Sequence, residues 1–226
     1  MRDGKSRPRT GRRCLPRKKE GVHEKHERHE NGACSFRVLS CLSWTLFFTV
    51  ETTAAILLRK TKLSETSLIV TWFTEAHGKI KTVAKGARQP KSKFAGVLDL
   101  FFDCEIQFVR SRKSELHILR EAALREPHAG MRLDYGRVAL GAYFVELIEL
   151  VTEADHPAPE LYDLLKRALG FLNAQPAARR ALLHFENELV RLLGIQGQAN
   201  VTPAVAIGRA YQHLPRARAG LLKALK

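Results

Sequence analysis

Cysteine is scarce in this 226-residue chain and poorly placed for chemistry: Cys14, Cys34, Cys41 and Cys104 include no C-x-x-C pair. Their scatter suggests neither a disulfide framework nor a zinc ribbon, and it fits a reducing cytoplasm. Also missing are a Walker A sequence, a G-x-G-x-x-G turn, an H-E-x-x-H pair and a nucleophile elbow. Without them no phosphate cradle, dinucleotide site, metalloprotease centre or serine hydrolase is indicated. The most apolar stretch, "VLSCLSWTLFFTV" from Val38 to Val50, has 13 residues. A membrane-spanning helix needs about 20, and a signal peptide would need a shorter charged leader and a small-residue cleavage site. No membrane partner is expected.

Negative charge is locally absent too. "HGKIKTVAKGARQPKSKFAG", His77 to Gly96, holds no Asp or Glu but six cations: Lys79, Lys81, Lys85, Arg88, Lys91 and Lys93. The chain as a whole carries a formal +15, unevenly spread. Residues 1–50 hold 12 basic and 5 acidic residues, residues 51–113 hold 12 and 6, and residues 114–226 hold 14 and 12. A basic module followed by a nearly balanced half points to a polyanionic partner, most commonly nucleic acid.

The first fifty residues read as a disordered basic extension, rich in Gly, Pro and charge. His23, His26 and His29 recur every third residue there, but among charged neighbours that offer nothing apolar to rigidify a metal site. The abrupt change of character at Glu51–Thr53 also suits a translation start near Val50.

From Thr53 onward, short β-branched and apolar runs alternate with turns. "TAAILLRKT" and "SLIVTWFT" flank a Ser64–Thr66 turn, and "EAHGK" supplies the next, with Gly78 free to take positive φ. In "KIKTVAK" the period of two puts Lys79, Lys81, Val83 and Lys85 on one face and Ile80, Thr82 and Ala84 on the other. "FDCEIQF" turns Phe102, Cys104, Ile106 and Phe108 inward and Asp103, Glu105 and Gln107 outward. "ELHILREA" completes five strands, which fit a small closed barrel of the OB type, since closure removes edges. The Gly86–Leu98 connection should be an exposed, flexible loop. Trp72 and Phe73 could stack on bases; since they alternate across one strand, at most one could face the groove and the other should be core, and core is the favoured reading for both.

After "REPHAG" the period becomes helical, in "LDYGRVALGAYFVELIELVTEA", "PELYDLLKRALGFL" and "ARRALLHFENELVRLLGI". A fourth helix is expected over roughly Pro203 to Leu225, weakened by Gly208 and Pro215. Tyr143, Phe144, Phe171 and Phe185 are expected in its core. The fold class is therefore α+β, with a disordered extension over 1–50, an OB-type DNA-binding barrel over 51–127 and an all-α helical domain over 128–226. Asp99, Asp103 and Glu105 could suggest a metal-dependent nuclease, but two of them fall on the expected solvent face of a strand. His77, His117, His128, His156, His184 and His213 are each isolated in sequence. No enzyme and no cofactor are expected.

"HGKIKTVAKGARQPKSKFAGVLDLF" resembles the signature of the bacterial recombination-repair RecO family, H-G-K-x-x-x-V-A-K-G-A-R-x-P-K-S. The likeness continues through "AILLRKTKLSETSLIVTWFT", "YFVELIELV" and "LLHFENELVRLLGI", about Thr53 to Ile195. It implies an N-terminal OB barrel and a helical domain, binding to single- and double-stranded DNA, strand annealing, and loading of RecA together with RecR and the single-stranded-DNA-binding protein. Many members carry a four-cysteine zinc site where this chain reads "QGQANVTPAVAIG", so zinc is not expected; Leu100 stands where the family often has proline. The alternative is a structural or translational RNA-binding OB protein. The residues expected on DNA are the six cations between His77 and Gly96.

Overall fold

The outer and inner faces of one strand explain how the chain is assembled. In the computed structural model, which describes residues 49–195 and 201–225, β1 (Val50–Lys62) is buried on both sides from Thr53 to Leu58. Ala55 and Leu57 point into a barrel with Val70, Trp72, Ile80, Ile106 and Phe108. Ala54, Ile56 and Leu58 point the other way, into a second cluster dominated by helices. A strand covered on both faces reads as a continuous apolar run, which is why "AAILL" shows no alternation.

The remaining strands are β2 (Leu68–Thr74), β3 (Gly78–Ala84), β4 (Asp103–Val109) and β5 (Leu116–Glu126). They close in the order β1-β2-β3-β5-β4, with β3 and β5 parallel and the other pairs antiparallel. Five expected strands thus form the expected closed barrel. Trp72 and Phe73 are both fully buried. Trp72 lies inside, its indole N–H donating to Thr82 Oγ1 at 2.9 Å. Phe73 lies outside, beneath the helices against Tyr162, ring centroids 6.0 Å apart.

Beyond a 3-10 turn at Ala129–Leu133 come α1 (Tyr135–Val151), α2 (Pro159–Ala174), α3 (Arg179–Leu192), α4 (Pro203–Tyr211) and α5 (Ala217–Ala224). The helix expected over Pro203 to Leu225 is two helices. Gln212 takes φ +66 at the end of α4, and Pro215, which has no N–H to donate, lies in the break. Helix α1 is apolar nearly all round because it is the central helix, packed on α2, α5 and the barrel. Phe144 stacks on Phe185 at 4.0 Å. Phe171, expected in the core with them, is instead 46% exposed.

Asp103 also departs from expectation. It is 3% exposed because the outer face of β4 is covered by α2, whose Lys166 Nζ lies 3.5 Å from its Oδ2. Period-two alternation reports which residues share a face; it does not report whether that face meets water.

The barrel meets the α1–α2 connection closely at Gly78, where φ is +66 and a Cβ would stand 1.8 Å from the His156 carbonyl oxygen. The α1–α2 connection lies against the start of β3 there, with Asp155 N donating to Lys79 O at 2.9 Å. Gly78→Ala combines a left-handed backbone with a hard contact, so a loss of about 2 kcal/mol in urea unfolding is expected. An unfolding midpoint unchanged from wild type would contradict this.

Candidate nucleic-acid interface

The registers of the barrel place two rows of side chains across its outer face. Arg59, Thr71, Lys81 and Leu116 pair successively across β1, β2, β3 and β5, and Thr61, Ile69, Val83 and Ile118 form the next row. A bulge at Leu58 makes this possible. It resets the alternation of β1, so Arg59 and Thr61 stand outward while Lys60 falls between them. Ile69, Val83 and Ile118 remain only half-buried. The face is therefore a cationic row beside an aliphatic one, with hydroxyls at Thr61 and Thr71.

The six cations of the His77–Gly96 stretch are not equivalent. Lys79 Nζ donates to the Glu149 carbonyl at 2.8 Å and the Thr152 carbonyl at 2.5 Å. Both belong to the carboxyl end of α1, where the helix dipole is negative. Burial pulls the Lys79 pKa below the ordinary lysine value against the opposing attraction of Glu149, and the neighbouring Lys81 and Arg59 lower it further. Lys81 is half-exposed, with Glu115 at 3.8 Å. Arg88 donates to the carbonyls of Ser64 and Glu65 at 3.0 and 3.2 Å. Lys93 donates to the Arg120 carbonyl. Lys85 and Lys91 are exposed and, among the described residues, make no ion pair or side-chain hydrogen bond.

The connection bearing these residues is not the flexible loop expected. It is a ladder of tight turns, each closed by a backbone bond three residues long: Gln89 N to Gly86 O, Ser92 N to Gln89 O, Ala95 N to Ser92 O, Val97 N to Phe94 O. Phe94, 3% exposed, plugs the end of the barrel. Arg88 N bonds Thr66 O in the β1–β2 turn, and Lys60 Nζ holds Leu98 O at 3.0 Å and Asp99 Oδ1 at 2.7 Å. Although partial burial opposes it, the hydrogen bonds from Lys60 and Arg132 bring the Asp99 pKa down to about 2. The positive charge thus stands on a rigid surface.

Sequence reasoning missed three further cations. Arg120 on β5 is exposed, and its carbonyl accepts from Lys93 Nζ, which sets it beside the basic connection. Arg112 and Lys113 stand exposed on the β4–β5 loop. None of the three has a side-chain partner among the described residues. The signal for Arg112 and Lys113 was the "RSRK" run; for Arg120 nothing local exists, because its neighbour Lys93 lies 27 residues earlier. Neither Trp72 nor Phe73 reaches this surface, so bases would meet aliphatic side chains and threonine hydroxyls there.

The three carboxylates considered for catalysis do not converge. Asp99 is held by Lys60 and Arg132, Glu105 by Arg125, and Asp103 lies under Lys166. Among the described residues no group of His, Cys, Asp and Glu is placed to hold a metal. His77 lies with Nε2 3.1 Å from Glu51 and Nδ1 3.2 Å from Arg110, and His117 stacks on Phe108, so both support the barrel. The His23–His29 run, Cys14, Cys34 and Cys41 lie outside the described residues.

In the helical part, α2 and α3 enclose an opening of about 520 Å³. Phe144, Phe171 and Phe185 form its walls, with Arg167, Arg180 and His184 also lining it.

Family models match most of the described chain. The model for "Recombination protein O N terminal" matches residues 49–128 and that for "Recombination protein O C terminal" matches residues 132–200. Among curated proteins, the DNA repair protein RecO of Rhodopirellula baltica is 38% identical over 140 residues, 62% of this chain and 52% of its own length. That of Pelobacter propionicus is 36% identical over 126 residues, 56% of this chain and 51% of its own. That of Salinibacter ruber is 31% identical over 156 residues, 69% and 60% respectively. The chain spans about half the length of the curated relatives it matches.

Proposed function

The chain belongs to the recombination protein O family, and from that premise we propose that it is a non-enzymatic recombination mediator of DNA repair. In this reading it binds single- and double-stranded DNA through the barrel over 51–127, anneals complementary strands, and helps load RecA together with RecR. Its place is the nucleoid in the cytoplasm, and it needs no cofactor.

The observation that supports this most is the surplus of cations without a side-chain partner among the described residues (Lys85, Lys91, Arg112, Lys113 and Arg120), together with an aliphatic row on the outer face of a closed barrel. Lysine and arginine docked on phosphates release condensed counterions without reading sequence. Neutralising two strands on one surface lowers their mutual repulsion, which annealing requires. Of the six cations in the His77–Gly96 stretch, Lys85 and Lys91 are the freest to contact phosphate. Lys81, Arg88 and Lys93 would contribute from the rim, and Lys79 chiefly holds the barrel to α1.

The apolar opening between α2 and α3, with Arg167 and Arg180 among its lining residues, is a candidate contact surface for the single-stranded-DNA-binding protein.

The test is annealing of complementary strands coated with the single-stranded-DNA-binding protein, with and without RecR. Acceleration by this protein is expected. Failure to anneal, combined with tighter binding to structured RNA than to single-stranded DNA, would favour an RNA-binding OB protein instead.

A further inference from the structure

The cationic row on the barrel faces a wall of opposite sign. A groove runs between the outer face of β1, β2 and β3 and the carboxyl end of α1, and four of its lining residues are carboxylates: Glu115, Glu149, Glu153 and Asp155. Only three cations, Arg59, Lys79 and Lys81, line the same groove. The charges are partly matched: Arg59 meets the Glu149 carboxylate, Lys79 the terminal carbonyls of α1, and Lys81 stands 3.8 Å from Glu115. Asp155 is held by Arg110 from outside the groove, which leaves Glu153 as the carboxylate without a side-chain partner among the described residues. The helix end adds its own negative dipole to the wall. The positive surplus lies outside the groove, at Lys85, Lys91 and Arg120.

We propose that this acidic wall makes the interface selective for single strands over duplex. The inference rests on the DNA-binding reading above. A single strand carries one row of phosphates, which can follow the cations while its bases turn toward the wall. Bases tolerate carboxylates, since their exocyclic amines donate hydrogen bonds to them. A duplex carries twice the charge per unit length and presents a second phosphate row. On this surface that row meets Glu149 and Glu153. The wall therefore disfavours the duplex product of annealing and promotes its release.

Glu153 is exposed and has no side-chain partner among the described residues, so Glu153→Gln leaves the fold intact. Dissociation constants of the full chain for a labelled 20-nucleotide strand and for its duplex, at low and at moderate salt, decide the matter. Glu153→Gln is expected to tighten duplex binding about threefold to fivefold, with less than a twofold change for the single strand. The difference should shrink as salt shortens the screening length. Equal tightening of both forms, or no change in either with Glu153→Gln, would overturn the proposal. A wild-type protein that binds neither form would instead overturn the DNA-binding reading on which it rests.

Discussion

Replacing Arg218 by alanine is expected to destabilise the helical part by about 3–5 kcal/mol, because it leaves a buried carboxylate without its counter-charge. Glu186 on α3 is fully buried. Its Oε1 accepts from Tyr143 O–H at 2.5 Å and from Arg218 Nε at 2.6 Å, and its Oε2 accepts from Arg218 Nη2 at 2.9 Å. Burial and the adjacent carboxylate hold the Tyr143 phenol well above its ordinary pKa, so it stays a donor. The hydrogen bonds to Glu186 hold the arginine above its own ordinary value. The triad ties α5 to α3 and to the central helix α1, and nothing else charged joins α5 to the fold among the described residues. Urea unfolding followed by circular dichroism measures the loss. A loss below about 1 kcal/mol would mean that water reaches Glu186 once α5 loosens. The double variant Arg218→Met with Glu186→Gln is expected to recover much of the stability, since the uncompensated charge is then gone.

Removing Lys85, Lys91 and Arg120 together, each by alanine, is expected to weaken DNA binding on the order of a hundredfold at 0.1 M salt. The slope of log affinity against log salt should become shallower by about two to three, alike for all sequences. The three side chains are exposed and without partners among the described residues, so folding should change by no more than about 0.5 kcal/mol. Titrations of a labelled single strand at four salt concentrations give the slope directly. An unchanged slope would place the contact elsewhere, with the Arg179–Arg180 end of α3 the next surface to test. Lys79→Met should behave oppositely. It is expected to cost about 1–2 kcal/mol of stability through two lost charge-assisted hydrogen bonds, with little change in the slope.

The distinction between Lys79 and Lys85 marks where sequence reading stopped. Both belong to one alternating basic run, and period two correctly sets Lys79 and Lys81 apart from Ile80 and Thr82. Nothing in that run says that the carboxyl end of α1 will cover the first lysine. The same holds for Asp103: its neighbours Cys104 and Ile106 face inward as expected, yet its own face is closed by α2 rather than by water. The basic connection shows the converse. Its Gly and Pro content reads as flexible, but the Phe94 plug and the pins at Arg88 and Lys60 make it part of the barrel.

What the sequence determined by itself was everything carried by local periodicity and composition. That includes five strands and then helices, the inward set Trp72, Ile80, Cys104, Ile106 and Phe108, the basic stretch, and the family motif within it. Those signals are local because a strand's alternation and a helix's stripe repeat within a few residues. Tertiary structure alone decided which cations remain free, that Arg120 joins the basic connection at Lys93, that Glu186 lies buried between Tyr143 and Arg218, and that a row of carboxylates faces the cationic row. Each of these depends on one element covering or approaching another far along the chain. The energy of a charge is set by the partner it meets there and by the water it loses, neither of which its own neighbours in sequence specify.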